Sequence, residues 1–299
     1  MNYALITQTI PAKTIITKTK STAWFGADYN MNIYRGCCHG CIYCDSRSEC
    51  YQVIDFETVK AKENALQIID SELKRKRKKG VIATGSMSDP YNPFEKKNEL
   101  TRKALSIINA NRFGIAIATK SNLVARDIDI LQNIKEHSPV IVKITITTAD
   151  GALCKKIEPH AAGSGERFAA IKSLSDAGIY CGILLMPVLP FINDSRSNVL
   201  DIVHRAYDSG AKFIYAMFGL TLRDRQREYF YARLDEFFPG LKQRYMSNYG
   251  NRYECISPNV KDLWNTFTSE CIRLGISYRM DDIIKSYKSD YHSGQLSLF

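Results

Sequence analysis

The stretch from Ile33 to Cys50 reads I-Y-R-G-C-C-H-G-C-I-Y-C-D-S-R-S-E-C, and its reading decides the fold. Cys37, Cys41 and Cys44 stand in it as C-x3-C-x2-C, with the aromatic Tyr43 directly before the last. Thiolates this close on one loop can ligate an inorganic centre. Three of them satisfy three irons of a cubane and leave the fourth iron open. A structural zinc site is the plainer alternative, with Cys38, His39 or Cys50 as its fourth ligand. The second C-x2-C pair that zinc often takes does not follow downstream. Cys38, Cys41 and Cys44 also form a regular run; Cys37 is preferred because it gives the four-residue first step.

Outward from this loop the chain alternates between strand and helix patterns. Asn30 to Tyr34 reads as a strand that delivers the loop from its C-terminal end. Val59, Leu66, Ile69 and Leu73 fall on one face of a helix between Asp55 and Lys79, which Gly80 stops. Val81 to Thr84, Phe113 to Thr119, Val140 to Thr148, Ile179 to Met186 and Phe213 to Phe218 read as further strands. Helices fall between them, around Leu100 to Ile107, Ile128 to Ile134, Ser164 to Ala177 and Asp194 to Ser209. This order predicts an α/β fold, a partial (β/α)6 TIM-type barrel over residues 29–220. An N-terminal arm (1–28), a small C-terminal α+β extension (221–285) and a flexible tail (286–299) complete the expected organisation. In such barrels chemistry collects at the C-terminal ends of the strands. The Cys loop, the Ser86 to Asp89 turn, Lys120-Ser121, Thr147-Thr148 and Met186-Pro187 all fall there.

The 299 residues are 45% hydrophobic, enough for a barrel-sized core. Nine cysteines without a secretion signal point to a reducing cytoplasm, and a disulfide framework is not expected. No apolar run approaches the roughly 18 residues of a membrane span. Lys and Arg number 41 against 31 acids, a net +10 that favours a polyanionic partner. The run Lys74 to Lys79 reads either as a solvated helix end or as a nucleic-acid contact. Arg223, Arg225, Arg227, Arg233, Lys242 and Arg244 interleave with Tyr229, Phe230, Tyr231 and Tyr245 in the extension. That pattern suits stacking on bases and pairing with phosphates, and equally an ordinary amphipathic helix.

The Cys spacing with its aromatic resembles the signature of the radical SAM superfamily. Y-R-G-C-x-H-G-C-x-Y-C, S-D-P-Y-N-P-F-E (Ser88 to Glu95), T-K-S (Thr119 to Ser121) with R-D-I-D-I-L (Arg126 to Leu131), I-E-P (Ile157 to Pro159) with E-R-F (Glu166 to Phe168), and P-V-L-P-F-I-N-D (Pro187 to Asp194) resemble its spore photoproduct lyase-like branch. The resemblance implies a [4Fe-4S] cluster on Cys37, Cys41 and Cys44 whose open iron chelates S-adenosyl-L-methionine (SAM). Reductive cleavage of SAM there gives a 5′-deoxyadenosyl radical. The resemblance further implies that the Ser86 to Asp89 turn receives the methionine amino group, with Asp89 accepting from the ammonium. Lys120 and Arg167 would pair with the carboxylate. Ser121, Thr147 and Glu158 would meet the ribose, and Tyr43 and Met186 would flank the adenine. Glu158 and Arg167 read alternatively as a buried structural ion pair. Ser86 stands where the lyase itself has a hydrogen-donating Cys. A serine O–H bond is too strong for that step, so a thymine-dimer lyase of that mechanism is not expected; Cys255 is the weak substitute.

The last five residues, Gln295-Leu296-Ser297-Leu298-Phe299, resemble the peptide with which bacterial polymerases and repair proteins hold the sliding clamp. Their alternative is a terminus packed on its own domain. The expected function is DNA repair or base modification by radical chemistry, with an electron donor such as flavodoxin or ferredoxin. The alternatives are radical modification of RNA, a peptide or a protein, and a clamp-bound adaptor whose cluster is structural or redox-sensing.

Overall fold

The computed structural model describes residues 8–291. Six parallel strands succeed one another in chain order across one open sheet: Tyr29–Met31, Val81–Thr84, Gly114–Thr119, Val140–Thr145, Cys181–Leu185 and Phe213–Ala216. Ile16–Lys18 adds an antiparallel edge beside the first of them. Helices Ala65–Arg75, Leu100–Ala110, Ile128–Lys135, Ser164–Asp176 and Arg196–Asp208 lie in the crossovers, and Val260–Leu274 packs on the last of these. The first and sixth strands are not bonded to each other, so the barrel is partial, as expected.

Strand periodicity sorts the side chains onto two faces. Ile115, Ile117, Val142, Ile144, Ile183, Leu185 and Ile214 point outward to the helices and form the main core. Those helices dock through stripes such as Ala65, Ile69 and Leu73, spaced four residues apart. Val81, Ala116, Ile141, Leu184 and Phe213 point inward and converge on Phe25, which plugs the concave side from before the first strand. Residues of five strands meeting one ring show that the sheet curls. The helix Met280–Lys288 covers this floor, where Tyr287 donates its hydroxyl proton to the Phe25 carbonyl.

Two expectations are corrected. The helix before the second strand begins only at Ala65, because Lys60–Lys62 is a strand pairing with Thr9–Ile10 and Tyr34–Arg35. Residues Ser286 to Tyr291, expected in a flexible tail, are ordered into the fold: the helix runs to Lys288, a 3-10 turn reaches Tyr291, and Tyr287 is buried. The clamp-like peptide Gln295 to Phe299 lies outside the described residues. In the basic run Lys76 Nζ lies 4.7 Å from the Tyr29 ring centroid and Lys79 Nζ 4.5 Å from that of Phe113, while Lys74, Arg75, Arg77 and Lys78 are exposed. In the extension, Asp224–Phe237 and Leu241–Tyr249 bury Phe230 and Tyr245 beside a hairpin of Gly219–Thr221 and Glu254–Ile256.

Candidate active site

The Cys loop leaves the first strand through a backbone pinned at several points. The Cys37 N–H donates to the Phe56 carbonyl at 2.7 Å and the Ile42 N–H to the Ile157 carbonyl at 3.0 Å. Gly36 has φ +80°, and a Cβ there would stand 2.3 Å from the Thr58 carbonyl oxygen, so only glycine passes. Among the described residues no three His, Cys, Asp or Glu side chains converge on one ion. A zinc site needs that convergence, whereas a cubane spreads its thiolates over separate irons. Burial, then Asp89 and Cys44, push the Cys37 thiol up to about 12. Burial raises Cys41 well above the usual thiol value, with Cys44 and Cys37 adding to it. Cys38 also rises, to about 11, but the charges near it are Asp89 and Glu57, and it packs on the helix-side core. The three thiols that sense one another are Cys37, Cys41 and Cys44.

Most of the charged groups here are spent on holding this loop. Asp89 accepts from the Tyr91 N–H (2.9 Å), the Thr119 hydroxyl (2.6 Å) and the Lys120 N–H (2.7 Å), and His39 Nδ1 lies 3.4 Å away. The Ser88 hydroxyl donates to the Gly36 carbonyl. Glu158 and Arg167, 1% and 0% exposed, form an ion pair at 2.6 Å. Arg167 also donates to the carbonyls of Thr145 (2.8 Å) and Ala162 (2.7 Å), and the Tyr43 hydroxyl donates to Glu158. Asp89, Glu158 and Arg167 are thus bonded to the strand ends and the Cys loop, and the ion pair of the alternative reading is present.

Other groups remain uncommitted. Lys120 makes no ion pair among the described residues, and its Nζ lies 5.6 Å from the Tyr43 ring centroid. Burial works against its charge, but Cys41, Glu158, Cys44 and Asp89 outweigh that and hold its pKa above the ordinary lysine value. The Thr147 hydroxyl is buried without a partner. Ser86 is exposed on the turn and Met186 is half-buried after the fifth strand. Ser121 spends its hydroxyl capping the next turn, accepting from the Leu123 N–H at 3.2 Å. Cys255 is fully buried in the strand Glu254–Ile256, where burial pushes its thiol up to about 11.

A family model, the radical SAM superfamily, matches residues 31–203. The chain belongs to that superfamily. An uncharacterised protein of Methanocaldococcus jannaschii is 37% identical over 65% of this chain and 72% of its own. One of Mycobacterium tuberculosis is 27% identical over 84% of this chain and 75% of its own. Spore photoproduct lyase complexed with dinucleoside spore photoproduct superposes with a TM-score of 0.65 at 14% identity, over 88% of this chain and 78% of that one. The protein is a radical SAM enzyme, and the group it works with is a [4Fe-4S] cluster with SAM. The residues fit: three thiols on one pinned loop that act electrostatically on one another, and the Lys120 ammonium in the field of Cys41 and Cys44. When bound, the cluster supplies the electron that splits SAM into methionine and a 5′-deoxyadenosyl radical.

Sequence reasoning missed several supports of the loop. His39 is buried and bridges to Asp89. Gln226, fully buried, donates to the Tyr43 carbonyl at 3.0 Å and ties the extension to the loop. Asn193 and Asn198 donate to the Thr147 carbonyl at 2.8 and 3.0 Å. The motif residues Glu95, Arg126 and Asp127 form a brace on the helix side, where Arg126 meets Asp127 at 2.7 Å and Tyr34 donates to Glu95. A buried amide within a motif is the signal that flags Asn193; nothing local flags Gln226.

Proposed function

We propose that this radical SAM enzyme acts on DNA, repairing or modifying a base, with Cys37, Cys41 and Cys44 holding the cluster. Lys120 pairs with the methionine carboxylate, Thr147 and Ser121 face the ribose, Tyr43 and Met186 flank the adenine, and Ser86 lines the entrance. The observation that carries the SAM assignment is Lys120, a cation without an ion-pair partner beside the cysteine thiols. The DNA assignment is supported by the net charge of +10 and by the likeness to a lyase complexed with a dinucleoside lesion. A groove of about 390 Å3 beside the cluster loop supports it too, with Arg47, Arg225, Arg233 and Tyr229 in its wall. There the Arg47 guanidinium lies 3.7 Å from the Tyr229 ring centroid and pairs with Glu57 at 2.8 Å. A target base leaves the stack to enter the barrel. The tail peptide Gln295 to Phe299 recruits the enzyme to the sliding clamp, and a flavodoxin or ferredoxin supplies electrons.

The test is anaerobic incubation of the reconstituted enzyme with SAM and damaged or undamaged deuterated DNA. Deuterium in 5′-deoxyadenosine is expected with DNA. Deuterium transferred only from RNA or peptide would move the reading to those substrates, and absence of any SAM cleavage would end it.

A further inference from the structure

The barrel also holds a charge that none of the roles above uses. Lys143 sits in the middle of the fourth strand and is 2% exposed. Its partners in register are Ala118 on the third strand and Gly182 on the fifth, so a methyl group and a hydrogen flank it. Strand alternation turns its side chain to the concave face, between Ile141 and Thr145. Its ammonium lies 4.6 Å from the Phe25 ring centroid, and among the described residues it has no ion pair and no hydrogen bond.

Lys143 marks a boundary inside the barrel. Below it Phe25, Ile141 and Phe213 seal the floor. Above it Ala83, Ala118, Met186 and Tyr215 are only half-buried although they belong to the inward face, so that part of the concave face is open. The titratable groups on the surrounding elements are Lys120 two residues past Ala118, Tyr215 on the sixth strand, and Tyr287 and Lys288 on the covering helix. The acid at this end, Asp28, accepts from the Val81 N–H at 2.9 Å. Burial alone lowers the Lys143 pKa, to about 7. An isolated ammonium in dry surroundings is costly unless something meets it.

We propose that Lys143 is a substrate-binding residue that anchors an anionic group, a phosphate or a carboxylate, at the floor of the open chamber. Its place as a substrate contact rests on the radical SAM reading; the anion site itself does not.

The test is equilibrium dialysis of the anaerobically reconstituted protein against thymidine 5′-monophosphate and thymidine, with inorganic phosphate and acetate as competitors. The wild type is expected to hold the monophosphate about tenfold more tightly than thymidine, the advantage of one well-met charge. Lys143→Met removes that advantage, and Lys143→Arg keeps it. Stronger competition by phosphate or by acetate tells which anion the site takes. Raising the pH past about 7 weakens monophosphate binding in the wild type, because the ammonium is the binding form, and leaves Lys143→Arg unchanged. Circular dichroism checks that both variants fold. Equal monophosphate binding by wild type and Lys143→Met, or a wild type that prefers neither anion to thymidine, overturns the proposal. A wild type that binds the monophosphate but fails to cleave SAM removes the proposed function and leaves the anion site standing.

Discussion

The mouth of the barrel and its floor treat buried charge in opposite ways. At the mouth Glu158 meets Arg167 at 2.6 Å, and Asp89 is surrounded by donors from two strand ends and the Cys loop. On the floor Lys143 faces only an aromatic ring. A charge whose lone pairs or protons are all used locally is scaffold, and removing one partner strands the other. A charge left over costs stability and is free to meet a ligand. By this measure the groups left over among the described residues are Lys143, the Thr147 hydroxyl and Lys120, which makes no ion pair.

The largest effect tests whether the mouth is built for iron at all. Cys41→Ala is expected to lose the iron-sulfur absorbance after reconstitution and to bring 5′-deoxyadenosine formation down to background. Cys38→Ala is expected to keep both. A cluster that survives Cys37→Ala but not Cys38→Ala would reverse the register derived from the thiol environments.

Next comes a direct opposition between the two regions. Arg167→Met leaves the Glu158 carboxylate buried without its ion-pair partner, with the Tyr43 hydroxyl still donating to it, and denaturant unfolding of the holo-protein should show a loss of up to about 3–5 kcal/mol. Lys143→Met removes an unpaired ammonium and should instead stabilise the fold. The sign of the pH dependence follows from the Lys143 pKa, lowered from 10.5 to about 7 in the folded chain. Between those values the unfolded state binds a proton that the folded state does not, so wild-type stability rises with pH across this window. The advantage of Lys143→Met is therefore greatest near neutrality and shrinks toward pH 10.5. A gap that stays constant with pH would show that Lys143 has an acidic partner after all.

Lys120→Met separates a ligand-facing charge from scaffold by a third route. It should fold and take up iron normally, yet bind SAM about 10–100-fold more weakly, the range for losing a hydrogen bond to a charged group. Isothermal titration with SAM reads this. Unchanged affinity would mean that Lys120 serves only to balance the cysteine thiols.

The barrel was legible because its signals are local. Val140 to Thr145 is an unbroken run of strand-forming residues buried on both faces, and Ala65, Ile69 and Leu73 write a helical stripe. The spacing of Cys37, Cys41 and Cys44 points to the superfamily whose model matches residues 31–203. What the sequence hid are the pairings. For Glu158 and Arg167 the sequence leaves an ion pair open as one of two readings, and only the fold brings them to 2.6 Å. Gln226 reaches Tyr43 across 183 positions, a contact that no window along the chain can show. Lys143 was passed over as one polar residue in an apolar strand, since its isolation depends on Ala118, Gly182 and Phe25 arriving from three other segments.

The smallest effect belongs to Thr147, whose hydroxyl is buried without a partner while its carbonyl is held by Asn193 and Asn198. Valine has nearly the same shape, so Thr147→Val removes a desolvated hydroxyl and little else. In the absence of SAM the variant should be as stable as the wild type or better by up to about 1 kcal/mol. If the hydroxyl meets the ribose, SAM should be held a few-fold more weakly and stabilise the variant less, a difference that a thermal-shift series over SAM concentration resolves. Opposite signs with and without SAM mark a group kept for a ligand. A loss of stability without SAM would mean that the hydroxyl is already partnered, and Thr147 would join Asp89 and Arg167 in the scaffold.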